Sequence, residues 1–420
     1  MTIDTSRRTF TKTAALVGLG GWAASALPMR QAAGAPGGAG SPDGAPVLAA
    51  APAEGAGGSD PIPLAPPDRQ PPDLKIPEAK RKIGFAVVGL GELALAEIMP
   101  AFGSARMAVP VALVSGHEDK AKKVAAAYGV DADAIYDYDE FDEIADNEDI
   151  DVVYIVLPNH MHAEYTIRAL RAGKHVLCEK PMAPTVEECE RMIAVARETG
   201  RKLMIAYRLH YEPLNQKVME LCGRKELGAV KTFASSNCQD QKAPNIRLSN
   251  ATAGGPLGDV GIYSINAARY VTGEEPVEVS AFAHQPKDDP RFREVPESVA
   301  YTMRFPSGAL AHCDCSFGAA VDRRYTVHCA KGVIDMNPAF SYAGLRLKVK
   351  QGEEAKGDAR DQELLIPQVN QFAAEMDHFA ECVAEDKQPS TPGEEGLADM
   401  RVITALYEAI RTGGTVKVSR

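Results

Sequence analysis

What this chain has little of narrows its function first. Its single tryptophan, Trp22, falls in an N-terminal stretch expected to be cut away. Eight cysteines are present, but none pair as CxxC and none stand at zinc-ligand spacing. Cys313 and Cys315, two apart on an expected strand, share one face and read as packing. The apolar run from Ala14 to Leu27 is too short and too glycine-rich to be a spanning helix. Positive charge is in deficit: 46 basic residues against 57 acidic ones leave a net charge of −11. That balance argues against nucleic acid and against an anionic membrane surface. The acidic run DYDEFDEIADNEDID lacks the glycine and spacing of a calcium loop. A protein that handles small molecules remains, and at 420 residues it has room for two or three domains.

The N-terminus is informative in another way. Ser6 to Lys12, with Arg7 and Arg8 adjacent, precedes the mildly apolar run and resembles a twin-arginine export signal, an address read by a receptor. Residues 1–52 are therefore expected to be signal and Ala/Gly-rich leader, with the periplasm as destination and no membrane anchor. Residues 53–80 crowd six prolines between Pro61 and Pro72 and cannot bury a core. They read as a linker or as an arm lying against a neighbouring subunit.

Residues 81–207 alternate strand and helix patterns and predict a doubly wound parallel sheet. Ile83 to Val88 is an apolar strand, followed by Gly89-Leu90-Gly91-Glu92-Leu93-Ala94 and a helix to about Phe102. Gly89 permits the turn, Gly91 lets a pyrophosphate approach the backbone, and Ala94 keeps helix and sheet close. The second strand, Val109 to Val114, ends in Ser115-Gly116, where an NAD site would carry Asp or Glu. With Lys120, Lys122 and Lys123 downstream, this points to NADP. Further strands are expected at Val152 to Leu157, His175 to Glu179 and Leu203 to Ala206. The strand His175 to Glu179 runs into Glu179-Lys180-Pro181, where proline stops it. Thr185-x-x-Glu188 has capping-box form and starts the next helix. His160 and His162 stand on a loop without ligand partners nearby and do not read as a metal site.

Residues 208–420 change character. After a helix at Pro213 to Cys222, β-type segments dominate: Val230 to Ser236, Val277 to Ala283, Ser298 to Phe305, Ala309 to Ser316, Arg324 to Cys329 and Leu345 to Lys350. They predict an open, mostly antiparallel sheet. The glycine-rich GGPLGDVGIY, Gly254 to Tyr263, opens a helix through Val271. Two helices, Gln368 to Ala384 and Gly393 to Thr412, end the chain.

With GLGELA, PNHMH, HVLCEKPM and GGPLGDVGIY together, the chain resembles the glucose–fructose oxidoreductase family of NAD(P)-dependent sugar oxidoreductases, from about Pro61 onward. The resemblance implies a dinucleotide-binding Rossmann domain and a second sheet whose face covers the nicotinamide. It implies NADP held tightly between half-reactions, small sugars as substrates, and a homo-oligomer, dimer or tetramer. Position by position, Lys180 and Tyr263 match the catalytic pair and Asp259 its acidic partner. Ser115, Gly116 and Lys120 match the 2′-phosphate site. Gly89, Leu90, Gly91, Tyr138, Leu157, Asn159, His162, Glu179 and Arg208 match positions beside the cofactor, and Arg247 faces the substrate in this reading; His210 either touches substrate or hydrogen-bonds in a turn.

The residue types suit the chemistry. Free tyrosine has a pKa near 10, so roughly one in a thousand is phenolate at pH 7. An ammonium within about 4–6 Å favours the phenolate, which brings Tyr263 nearer to use as acid and base. Two features depart from the family's pattern. Ile246 stands where close members carry Trp, followed by Ser249 and Asn250 in place of charge, and Glu92 stands where Lys is usual. Two alternatives stay open: a glycosidase acting by transient oxidation, and an aldose dehydrogenase with a dissociable cofactor.

Overall fold

The computed structural model describes residues 82–352 and 360–419, all within the unit Pro77–Arg420. The expected export signal and proline-rich arm lie outside the described residues.

The first strand, β1 (Ile83–Val88), is apolar at every position but one and buried throughout, as a strand covered on both faces must be. After the glycine turn the chain winds through a wide π-type segment, Ala94–Ile98, into α1 (Met99–Ala101). There follow β2 (Ala108–Val114), α2 (Glu118–Tyr128), β3 (Ile135–Tyr136), β4 (Val152–Ile155), α3 (His162–Arg171), β5 (His175–Glu179), α4 (Val186–Thr199) and β6 (Leu203–Ala206). Thr185 caps α4 by accepting from Glu188 N at 3.2 Å. All six strands are parallel, in the order β3-β2-β1-β4-β5-β6. The order reverses between β1 and β4, and a ligand site belongs at the carboxyl ends there.

The second half runs α5 (Pro213–Gly223), β7 (Val230–Asp240), α6 (Ile262–Thr272), β8 (Glu278–His284), β9 (Ser298–Arg304), β10 (Leu310–Ser316), β11 (Gly318–Cys329), β12 (Gly332–Met336), β13 (Leu347–Gln351), β14 (Arg360–Leu364), α7 (Gln371–Ala384), α8 (Gly393–Thr412) and β15 (Val416–Lys417). Among the described residues, nine strands form one sheet, ordered β14-β13-β12-β11-β7-β10-β9-β8-β15, in which only the β7–β10 pair is parallel.

Two strands are longer than the sequence pattern suggests. β7 continues past Ser236 through Asn237-Cys238-Gln239-Asp240, and β11 begins at Gly318, six residues before Arg324. The β7 extension is polar and the β11 extension, GAAVDR, shows no apolar–polar alternation, so the pattern does not mark them. β14, RDQEL, is a charged edge strand, and charge at an edge blunts unwanted pairing. β12 and the two-residue β15 are likewise absent from the pattern reading. α7 starts three residues late because Asn370 caps it, accepting from Ala373 N at 3.0 Å.

Both terminal helices return to brace what precedes them. On α7 the buried Asp377 carboxylate accepts from the backbone of Met107 at 2.7 Å and of Arg106 at 2.9 Å, at the entry to β2. On α6 the buried Arg269 donates to Asp399 at 2.6 Å and Glu395 at 2.8 Å, both on α8. Among the described residues, no helix is long and apolar enough to cross a membrane.

Candidate active site

A cavity of about 800 Å³ opens at the carboxyl ends of the parallel strands and is covered by the inner face of β7 and β11. Its size suits a large cofactor or substrate. Gly89, Ser115, Leu157, Glu179 and Ala206 line it from the ends of β1, β2, β4, β5 and β6.

At one end lies the glycine turn. Gly89 has φ +95°, and a Cβ there would meet the Val156 carbonyl oxygen at 2.4 Å, so only glycine fits. A Cβ on Gly91 would meet nothing within 4 Å. That open ground beside the turn lets an anion approach the backbone, so the cradle fits a dinucleotide pyrophosphate. Lys120 reaches back and donates to the Leu90 carbonyl at 2.9 Å. Ser115 is buried at the tip of β2 and its hydroxyl accepts from His117 N at 3.2 Å. The Tyr138 ring lies over Gly116, 3.2 Å from where a Cβ would stand. Glu92 also lines this end and is exposed.

Asn159 and His162 hold the floor in place. Asn159 donates to the Ala253 carbonyl at 2.9 Å. Both nitrogens of the buried His162 ring face carbonyls at 2.8 Å, those of Leu157 and Pro181. Burial lowers its pKa, and a neutral ring donates to only one of the two at a time.

The reacting end is built from β5, β7 and the turn before α6. A second π-type segment, Leu257–Gly261, carries Asp259 into the first turn of α6, where Tyr263 stands. Residues four apart on a helix share a face. Lys180 Nζ lies 4.7 Å from the centre of the Tyr263 ring, a cation–π distance. It donates to the Asp259 carbonyl at 2.8 Å and lies 3.5 Å from the Asp259 carboxylate. Arg247 Nε donates to the other carboxylate oxygen at 2.9 Å, and Gln239 adds a longer contact at 3.5 Å. The Tyr263 hydroxyl has no hydrogen-bond partner among the described residues and lies open to the cavity.

These contacts set the charges. Burial alone would lower Lys180, but Tyr263, Asp259 and Glu179 outweigh it and hold the pKa above its ordinary 10.5. Lys180 is therefore an ammonium and not a free amine base. Asp259 is pushed up by burial, yet Lys180 and Arg247 more than reverse this and hold it below its ordinary 3.8. The resemblance made Asp259 the acidic partner of the catalytic pair; in the structure its carboxylate is shared between Lys180 and Arg247.

Behind this end lies a second layer. Glu179 is buried, accepts from Tyr154 at 3.0 Å, and has a pKa raised by burial. Arg208 is buried and donates to the Gln371 side chain and, at 2.7 Å, to the Phe340 carbonyl. Its guanidinium lies 4.5 Å from the Tyr342 ring and 5.1 Å from that of Tyr263.

His210 does not join the site. Its Nε2 pairs with Asn266 Oδ1 at 2.8 Å and its ring packs edge-on to Tyr270, which turns it away from the cavity. The YRLHY turn sends Arg208 inward and His210 toward α6 instead. Sequence reasoning missed Asn237, Gln239, Arg323 and Tyr342, which line the cavity. The first three lie on strand segments where inward alternation is the signal, though without apolar residues to mark it.

Residues 83–207 match the oxidoreductase family with NAD-binding Rossmann fold, and residues 215–335 match the GFO/IDH/MocA C-terminal domain. The chain belongs to the GFO/IDH/MocA oxidoreductase family. A D-xylose 1-dehydrogenase [NADP(+)] from Haloarcula marismortui is 32% identical over 345 residues, covering 80% of this chain and 93% of that one. An aldose-aldose oxidoreductase from Caulobacter crescentus, solved with glycerol, is 42% identical with a TM-score of 0.77, covering 80% of this chain and all of that one. A 3-ketoreductase from Actinomadura kijaniata, solved with NADP and TDP-benzene, is 26% identical with a TM-score of 0.69, covering 78% and 98%. In this GFO/IDH/MocA protein the reacting end and the glycine turn share one cavity.

Proposed function

We propose that this protein is an NADP-dependent sugar oxidoreductase that oxidises an aldose at C1 to the lactone and reduces a second sugar, working in the periplasm as an oligomer. The observation that carries the chemistry is the free Tyr263 hydroxyl beside the Lys180 ammonium, in the same cavity as the open Gly91 cradle. The names of the xylose dehydrogenase and the aldose-aldose oxidoreductase support the substrate class. Arg7 and Arg8 support the location, and the pairing of sheet faces in related folds supports the oligomer only by analogy.

In this reading Gly89, Leu90 and Gly91 hold the pyrophosphate, Ser115, Gly116 and Lys120 the 2′-phosphate, and Leu157, Asn159 and His162 the nicotinamide side. NADP, when bound, supplies a carbon that accepts a hydride from an alcohol and returns it to a carbonyl. Tyr263 takes the proton of the sugar C1 hydroxyl in the oxidative half and gives it to the new hydroxyl in the reductive half. The Lys180 ammonium lies against the ring, where it offsets the negative charge the tyrosine carries before it takes the sugar proton and again after it gives that proton back. Asp259 fixes Lys180 and Arg247. The covering sheet excludes water, which strengthens each of these interactions.

The acceptor divides the reading. A ketose such as fructose follows from the resemblance in the motifs, and an aldose from the name of the Caulobacter protein. Denaturing the purified protein and identifying released nucleotide, then supplying glucose with fructose or with a second aldose and no added cofactor, tests both. The account expects NADP, a lactone and the matching alditol. A protein that takes up no nucleotide and converts no sugar contradicts it.

A further inference from the structure

Four other cations line the cavity, and each has a partner. Lys180 and Arg247 share Asp259, Arg208 is held by Gln371 and two carbonyls, and Lys120 lies on the Leu90 carbonyl. Arg323 is different. It lines the same cavity, is half-buried, and its guanidinium has no hydrogen-bond or ion-pair partner among the described residues.

Its direction follows from strand register. Along β11 side chains alternate, so Arg323 shares the inner face with the fully buried Tyr325, while Arg324 pairs with Asp322 outside at 3.1 Å. Across the ladder Arg323 stands opposite Asn237, whose amide donates to the Val260 carbonyl at 2.9 Å, one residue past Asp259. The Arg323 carbonyl accepts from Ala339 N, the residue before Phe340. The Phe340 ring in turn lies 5.9 Å from that of Tyr263. The β11 backbone at Arg323 is thus tied to the segment whose Phe340 ring packs on Tyr263, and the Arg323 side chain lines the same cavity as Tyr263.

A guanidinium presents a planar fork of donors matched to carboxylate and phosphate oxygens. Left unpaired in a partly desolvated wall, it favours a ligand that brings the missing anion. Resting on the sugar oxidoreductase reading above, we propose that Arg323 selects a sugar that carries an anionic group, a carboxylate as in a uronic acid or a phosphate, over the neutral parent sugar.

The test compares glucose, glucuronate and glucose 6-phosphate as substrates for wild type, Arg323→Gln and Arg323→Lys, with the same three sugars titrated calorimetrically onto the nucleotide-loaded protein. Wild type is expected to show a higher kcat/KM and tighter binding for one anionic sugar than for glucose, and which one identifies the anion. Arg323→Gln should lower the ratio of anionic to neutral kcat/KM by roughly 10- to 100-fold, mainly through KM. Arg323→Lys should keep part of the preference, because it restores charge without the fork. Equal losses for charged and neutral sugars, or a wild type that prefers glucose in both turnover and binding, overturn the proposal. If glucose turns over normally in that second case, the sugar oxidoreductase reading survives. If no sugar turns over, the binding titration still decides the role of Arg323.

Discussion

Lys180 stands among Tyr263, Asp259 and Glu179, and this setting decides what it can do. The raised pKa of Lys180 means its stabilising contribution is complete below its ordinary 10.5 and fades only as pH rises through the folded value. For Asp259, held below 3.8, the contribution is present above that value and is lost as pH falls through the depressed one. The pair therefore persists across the whole neutral range. Lys180→Met should leave nucleotide bound and cut kcat by at least ~100-fold, as loss of an electrostatic catalytic group does; stopped-flow hydride transfer and nucleotide content check the two halves. A lysine with only a structural role would leave kcat within a few-fold. Glu375 makes a contrasting case. It is fully buried on α7, and burial, aided by Glu179, pushes its pKa well above 4.5. A carboxyl raised in the fold binds more protons there than in the unfolded chain, so its contribution becomes increasingly unfavourable as pH rises above about 4.5. Glu375→Gln should therefore raise the melting temperature, with a gain that grows from pH 5 to pH 8 and amounts to about 1–3 kcal/mol. A gain that shrinks with pH would contradict this assignment.

The glycine turn between β1 and the π-type segment shows what an element contributes. Gly89 and Gly91 look equivalent in the motif, but they do different work. At Gly89 a side chain meets backbone at 2.4 Å with φ in the left-handed region; at Gly91 it meets open space. Gly89→Ala should destabilise the fold by at least about 1–2 kcal/mol from backbone strain alone. Gly91→Ala should melt close to wild type yet bind NADP at least ~10-fold more weakly, because the added methyl occupies the ground the pyrophosphate needs. Calorimetry with nucleotide titration separates the two, and equal melting losses in both variants would contradict the distinction. Much of this level was legible in the sequence, since apolar runs such as Ile83–Val88 and Leu203–Ala206 mark buried strands directly. The polar continuation of β7 and the start of β11 were not. Their inner residues, Asn237, Gln239 and Arg323, line a cavity instead of a core, so they lack the apolar alternation that announces a strand. Which of the two roles open to His210 applies was not legible for a related reason. A helical turn, Arg208–Tyr211, sends neighbouring polar residues in different directions, and sequence spacing alone does not say which one faces the cavity.

At the scale of the whole molecule, two sheets with different pairing rules meet over one cavity. The parallel sheet brings five strand ends together, and the mostly antiparallel sheet supplies a face whose inner residues reach back. The helices that follow tie the halves: Asp377 on α7 holds the start of β2, and Glu394 on α8 pairs with Arg197 on α4. This is why residues as distant in sequence as Lys180, Tyr263 and Arg323 surround one space. Motif resemblance pointed to Lys180 and Tyr263 because each lies in a short, recognisable string. It gave no hint of Arg323, Gln371 or Glu375, whose roles exist only after the second sheet and α7 have folded over the first. The central claim is that Tyr263, beside the Lys180 ammonium, moves the proton that accompanies hydride transfer between sugar and nucleotide. The most direct measurement follows nicotinamide absorbance after wild type and Tyr263→Phe, each loaded with NADP, are mixed with an aldose. The account predicts reduction in the wild type and a rate at least ~100-fold lower in Tyr263→Phe with nucleotide still bound. Equal rates in the two proteins, or no reduction in either, would contradict it.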